Sequence, residues 1–357
     1  MTTVHNAALS ETHYASDRLR PVRIWLYAMA AMVLLMVVVG GITRLTESGL
    51  SITSWKPIAG IIPPLNDAQW QAEFDAYKQI PQYEVNNSWM SVDDFKVIFF
   101  WEFVHRLLGR LLGVAFLVPF LVFLAQKRFT PQLAWPLFGL FILGGFQGAL
   151  GWWMVSSGLS ELTSVSQYRL AAHLSAAALL FIALVYLPRS LEPGRIAGLD
   201  AGRNIGAAAV LLALLVLQIG AGAFVAGLDA GMGYNTWPLM DGAMVPDGLA
   251  SMQPAWKNLF ENALTVQFIH RTLAYVIVVY VGVILWQQRA AGGFAGVHGW
   301  LPRIGLLVLL QVVLGIGTLL MQVPTSLAVG HQALAFMLAG VTMAYIADMR
   351  RATRVTP

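Results

Sequence analysis

The chain of 357 residues contains no cysteine. That excludes disulfides, thiolate metal ligands, iron–sulfur clusters and haem attached through thioethers. Charge is scarce as well: 11% of residues are Asp, Glu, Lys or Arg, against roughly 25% in soluble domains. Hydrophobic residues reach 57% and mean hydropathy is +0.66, so a soluble globular enzyme is excluded. The length is better counted in membrane spans of about 20 residues. Net charge is +4 with a pI near 9.4. In a membrane protein that excess belongs to cytoplasmic loops, so it points to no nucleic-acid partner. Met1 to Arg20 lacks the apolar core of a cleavable signal, and the first apolar run is expected to stay as an anchor in the lipid bilayer.

Eight apolar runs predict membrane helices at 23–43, 97–125, 133–154, 170–188, 205–226, 265–287, 303–322 and 327–347. Their flanks are unequal. Arg18, Arg20, Arg23, Lys127, Arg128, Arg189, Arg195, Arg203, Arg289, Arg303, Arg350, Arg351 and Arg354 fall on one side, thirteen of the 22 basic residues. The opposite loops hold six, Arg44, Lys56, Lys78, Lys96, Arg169 and Lys257, among twelve acids. The positive-inside rule then expects a multi-pass protein of the cell inner membrane with both termini cytoplasmic. Two long loops, 44–96 and 228–264, are expected to face outwards, and loops of that length are uncommon without a task.

The chain repeats itself. Thr46-Glu47-Ser48-Gly49-Leu50 with Trp55 resembles Leu228-Asp229-Ala230-Gly231-Met232 with Trp237. Trp101-Glu102-Phe103-Val104-His105-Arg106 resembles Val266-Gln267-Phe268-Ile269-His270-Arg271. Gln147 with Leu150-Gly151 matches Gln311 with Leu314-Gly315, and Ala171-Ala172-His173 matches Val329-Gly330-His331, all in the same order. The expected fold is an all-α integral membrane protein of eight transmembrane helices. They form two parallel four-helix bundles related by a pseudo-two-fold axis along the membrane normal. The halves are 23–190 and 205–349, joined by a cytoplasmic linker at 191–204 and flanked by cytoplasmic tails at 1–22 and 350–357.

Of seven histidines, His5 and His13 lie in the polar tail and His298 in a loop. His105, His173, His270 and His331 instead sit near the same end of spans two, four, six and eight. Ionisable residues inside a membrane are costly and point to function. One such histidine is readily a helix–helix hydrogen bond, but four at matching depth, two per half, are harder to read so. With no cysteine and few buried carboxylates, zinc and di-iron sites lack ligands. Imidazoles on facing helices of a four-helix bundle suit the axial positions of haem iron, giving one bis-histidine site per half. Arg106 and Arg271 follow their histidines and are placed either to neutralise haem propionates or to snorkel to lipid phosphates. The halves differ at Glu102, three residues before His105 and on its helix face; its counterpart is Gln267. Glu102 is thus a proton donor or acceptor, or a partner that orients the imidazole.

Several motifs resemble the haem A synthase family. They are Gly40-Gly41-Ile42-Thr43-Arg44-Leu45-Thr46-Glu47-Ser48-Gly49-Leu50-Ser51 with Trp55-Lys56-Pro57, then Phe99-Phe100-Trp101-Glu102-Phe103-Val104-His105-Arg106 and Gln147-Gly148-Ala149-Leu150-Gly151-Trp152-Trp153. Asn235-Thr236-Trp237-Pro238 and Gln267-Phe268-Ile269-His270-Arg271 carry it into the second half. The resemblance implies oxidation of the C8 methyl of haem O to a formyl group through hydroxylated intermediates, for cytochrome oxidase assembly. It implies a resident haem b on His270 and His331 beside Arg271. It also implies that haem O, the substrate, is taken by His105 and His173 beside Arg106, with Glu102 catalytic. A haem O synthase and an electron donor are the implied partners, and homo-oligomeric assembly is left open. Lacking cysteine, the chain resembles the proteobacterial and mitochondrial branch, in which no thiol relay operates. The alternative is a di-haem membrane cytochrome b exchanging electrons with quinone; a transporter fits less well, since charged midplane residues are missing.

Overall fold

The computed structural model describes residues 2–55, 60–160, 162–193 and 201–353, with side chains for all of these except 2–17, 201–204 and 353. Lys56, Pro57, Arg195, Arg354 and half of the expected linker, 194–200, lie outside the described residues. Among the described residues ten α-helices carry the fold: α1 (Thr2–Leu45), α2 (Asp67–Tyr77), α3 (Val92–Ala125), α4 (Pro131–Ser156), α5 (Gln167–Ser190), α6 (Ala201–Gly227), α7 (Asn258–Glu261), α8 (Ala263–Ala290), α9 (Trp300–Leu320) and α10 (Thr325–Thr353). Eight of them are long and apolar enough to cross a membrane, matching the eight apolar runs. The protein is an all-α, multi-pass membrane protein.

The helices outrun the apolar stretches because polar turns extend them. Helix α1 continues back to Thr2 through the expected polar tail. Helix α3 starts at Val92, where Ser91 and Asp94 form a reciprocal capping box. There Asp93 and Asp94 meet the positive end of the helix dipole. Helix α8 is capped by Asn262, whose side chain accepts from the amides of Leu264 and Thr265. Pro131 opens α4, a position where the missing N–H costs nothing.

Within the first half α1 packs on α3 and α5, and α4 joins α3 to α5; within the second, α6 packs on α8 and α10, and α9 joins α8 to α10. Both halves thus close as rings of four in the same order. The halves meet through α1 on α10, α5 on α6 and α5 on α10. One apolar core, with Trp25, Phe116, Phe120, Phe181 and Leu184, fills the first half and reaches α10 through Phe336. A second, with Leu211, Ile277, Ile304 and Tyr345, fills the other.

The loop after α1 carries a third core. Helix α2 folds over the start of α3, burying Phe74, Tyr77, Phe95 and Phe99 with Leu50 and Ile80. Asn87 donates to the Tyr77 hydroxyl at 2.7 Å, Tyr77 donates to Gln82 at 3.1 Å, and Gln82 reaches the Glu47 carbonyl at 3.2 Å. Burial pushes the Tyr77 phenol up from its ordinary value, so it stays a donor. Glu47 takes the left-handed backbone conformation, with φ of 53°, and so does its counterpart Asp229, with φ of 49°. Each turn leads into a short 3₁₀ segment, Ser48–Leu50 and Ala230–Met232. At the opposite end of the molecule Asp348, 2% exposed, accepts both arms of the Arg189 guanidinium at 2.8 Å and the Trp300 indole at 2.9 Å. That clasp ties α5 to α9 and α10.

A candidate haem centre in each half

All four intramembrane histidines stand in the interior of the rings, near the end that carries the two long loops. Each imidazole is seated against a glycine of the preceding membrane helix. A Cβ on Gly40 would lie 3.2 Å from His105 Nε2, on Gly151 3.2 Å from His173 Cε1, on Gly222 3.0 Å from His270 Cε1 and on Gly315 2.8 Å from His331 Cε1. A side chain at Gly315 would force a shift, and at the other three the ring would have to give by a few tenths of an ångström, so the glycines let the imidazoles sit where they do. Three histidines share a second device. Gln147, Gln218 and Gln311 donate from Nε2 to the backbone carbonyls of His173, His270 and His331, each at 3.0 Å. Each Gln stands four residues before the glycine, one turn away on the same helix face. The fourth helix has Met36 at that place, so His105 has no such amide partner.

The second half brings its pair face to face. The rings of His270 and His331 have centroids 6.4 Å apart, at 74° to each other. Two imidazoles gripping one metal from opposite sides at a metal–nitrogen distance of about 2 Å hold their centroids about 6 Å apart. In the first half His105 and His173 stand close enough to interact electrostatically. His173, His270 and His331 each keep Nδ1 buried without a hydrogen-bond partner. Among the described residues no cluster of three or more His, Asp or Glu side chains is disposed to hold a bare metal ion. Paired imidazoles with no further protein ligand fit an iron whose four equatorial ligands come with the porphyrin, so the residues present fit haem.

Glu102 and Gln267 occupy matching places but grip differently. The Glu102 carboxylate, 2% exposed, accepts from Ser51 Oγ at 2.8 Å and from the Ile52 amide at 2.7 Å on one oxygen. On the other it accepts from Arg106 Nε and Nη2 at 3.0 and 2.7 Å. Gln267, equally buried, donates to the Ala230 carbonyl at 2.9 Å. The sequence places Glu102 on the face of His105; the structure adds that its partners are the loop and Arg106. Arg106 donates onward to the carbonyls of Ile52 and Ser54 at 2.7 and 2.9 Å. Arg271 does the same in its own half, reaching the carbonyls of Thr236, Pro238 and Leu239 at 2.9–3.3 Å. Both arginines therefore strap the long loops down over the histidine level, and Arg271 Nη1 remains buried and unsatisfied.

Sequence reasoning singled out the histidines, the arginines and Glu102, and the structure places them at one end of the two rings. It did not single out Gln218 or the seating role of the four glycines. A signal for them was present: Gln-x-x-x-Gly recurs at 147–151, 218–222 and 311–315, with Met36 replacing Gln in the fourth copy.

Comparison with known proteins finds sequence likeness along nearly the whole chain. A family model described as "Cytochrome oxidase assembly protein" matches residues 23–343. A protein of Azorhizobium caulinodans named Heme A synthase is 52% identical over 346 residues, 96% of this chain and 98% of its own. One of the same name from Parvibaculum lavamentivorans is 51% identical over 322 residues, 90% of this chain and 92% of that one. A third, from Rhizobium rhizogenes, is 48% identical over 343 residues, covering 96% and 93%.

Proposed function

The chain belongs to the cytochrome oxidase assembly protein family, and from that premise we infer that it is a haem A synthase, a membrane oxidoreductase acting on haem O. The observation that carries the reading is the pair of imidazole couples in two matching rings, with a buried carboxylate beside one couple and a neutral amide beside the other.

We propose that His270 and His331 hold a resident haem b and that His105 and His173 hold the iron of haem O. The fit of the second pair to a metal clamped from both sides supports the first assignment. The carboxylate in the first half supports the second. Haem iron, when bound, supplies the redox chemistry by which the C8 methyl becomes a hydroxylated and then a formyl carbon. The protein's own residues do the rest. Gly40 and Gly151 set the imidazole positions, and Gln147 fixes the backbone under His173. Arg106 and Arg271 hold the long loops closed over the site and present cationic edges on the side where propionates would lie. Glu102 is the group proposed to handle protons, since it is the acid within a span nearest a histidine. Both termini are proposed to be cytoplasmic and both long loops external, on the thirteen-to-six division of basic residues. A haem O synthase and a separate electron donor are the proposed partners.

The test is haem extraction from cells that express this chain together with a haem O synthase. Haem A or hydroxylated haem O in the extract is the expected result. Two haem b per chain and no modified haem would instead identify an electron-transferring cytochrome b.

A further inference from the structure

One helix–helix clamp in four is built differently, and it belongs to the half proposed to take the substrate. Gln147, Gln218 and Gln311 each donate to the backbone carbonyl of the histidine across the gap at 3.0 Å. The amide nitrogens of Gln218 and Gln311 also stand 3.3 and 3.4 Å from the Nε2 atoms of His270 and His331. On α1 the place belongs to Met36, whose thioether has no proton to donate. Its methyl group leans on α3 one turn beyond His105: a Cβ on Gly109 would lie 3.1 Å from Met36 Cε. The matching residue in the second half is Ala274, so Met with Gly in one half replaces Gln with Ala in the other. The ring itself is turned as well. His173, His270 and His331 each present Cε1 to their glycine, with both ring nitrogens 3.4–3.8 Å from where a Cβ would stand. His105 presents its Nε2–Cδ2 edge to Gly40, at 3.2 and 3.5 Å.

We propose that His105 is the exchangeable axial ligand of the first-half haem site, released and retaken by the iron while His173 keeps hold, and that Met36 in the place of a glutamine is the positioning residue that allows it. The proposal rests on the reading of the protein as a haem A synthase and adds which of the substrate's two ligands lets go. A resident haem stays, whereas a substrate haem has to enter and its product leave in every turnover. Two histidines held alike would keep the substrate as firmly as the cofactor. Hydrogen bonds that orient a metal's ligand also keep it in place. His173 has one from Gln147; at the matching place His105 has the packing of a thioether. Release breaks one dative bond: the electron pair returns to Nε2, the iron keeps its oxidation state, and no proton or further reactant is consumed. The Gly40 seat is where the released edge rests.

Carbon monoxide reports a released ligand, because it binds reduced haem iron only where an axial position opens. The full-length protein is purified in detergent with haem b alone and with haem O added, then reduced and mixed with carbon monoxide in a stopped-flow spectrometer. The parent should bind none with haem b alone and one per chain with haem O present. Met36→Gln, which supplies the missing amide, should slow that binding about two- to tenfold, the range expected of one hydrogen bond. Its haem b content should stay at the parent level, which shows that the variant is folded. Gln218→Met, the reciprocal change, should open haem b to carbon monoxide. A parent whose haem O stays closed, a Met36→Gln variant as fast as the parent, or a Gln218→Met variant whose haem b stays closed would each overturn the proposal. A parent that carries haem b but takes up no haem O would count against the synthase reading instead, so the two failures are distinct.

Discussion

At the scale of single residues, the histidines were legible in the sequence because an imidazole in an apolar run has few other uses. Gly40 and Gly222 were not, because a glycine in a membrane helix is ordinary until its neighbour across the gap is known. The expected consequence of the assignment is a split among four variants. His270→Ala and His331→Ala should remove most low-spin haem b from the purified protein. His105→Ala and His173→Ala should spare it and abolish conversion of haem O. Loss of the same haem from all four would contradict a division between halves, and an absorption spectrum with haem extraction decides. Glu102 allows a sharper question, because its two oxygens are engaged by four donors from Ser51, Ile52 and Arg106. If it handles protons, Glu102→Gln should fold, keep haem b, bind haem O and lose about 10²–10⁴-fold in haem A production. Ser51→Ala, which removes one donor and no charge, should keep most activity. Were positioning of the loop its whole role, both variants would be impaired to similar extents. The hydropathy pattern pointed to Glu102 as an unusual acid, and Arg106 one turn on is a partner within reach of sequence reasoning; Ser51 and Ile52, however, lie some fifty residues away in a loop whose path no periodicity encodes.

Elements show the same boundary between what sequence displays and what packing decides. All eight membrane helices follow from apolar runs alone, since a lipid-facing backbone has to satisfy its own hydrogen bonds. Their polar extensions, and helix α2 within the first long loop, did not stand out, because they depend on caps at Ser91 and Asn66 and on Phe74 and Tyr77 finding Phe95. The approach of α9 to α10 is set by Gly315 against His331. A methyl group there has 2.8 Å in which to fit, so Gly315→Ala should displace the ring or part the helices. Haem b per polypeptide should fall well below the parent level. Gly317→Ala, whose added carbon would sit 3.9 Å from Leu327, should bind haem normally. Equal haem content in the two variants would show that the seat has slack.

For the whole molecule, the expected reporter pattern is simple. Fusions at Ala68 and at the C-terminus should report opposite sides of the membrane, and the same side for both would overturn the orientation. The union of the halves is expected to lean on Asp348, whose removal takes the acceptor from Arg189, about a third of whose side chain is exposed, and from the Trp300 indole. Asp348→Ala should cost about 1–2 kcal/mol, seen as a lower midpoint of thermal unfolding in detergent. The ring order of the helices carries a consequence for kinetics. The principal contacts between halves are made by α1, α5, α6 and α10, which leaves the α3–α4 and α8–α9 flanks turned to lipid at separate edges. On the proposed assignment, a greasy substrate would reach the first half by diffusing in two dimensions, within the sheet of lipid that dissolves it. Its effective concentration is the number of molecules per unit area of membrane, not per volume of buffer. Reconstituted at fixed protein and fixed total haem O, the enzyme should slow as empty lipid is added, although nothing in the aqueous phase has changed.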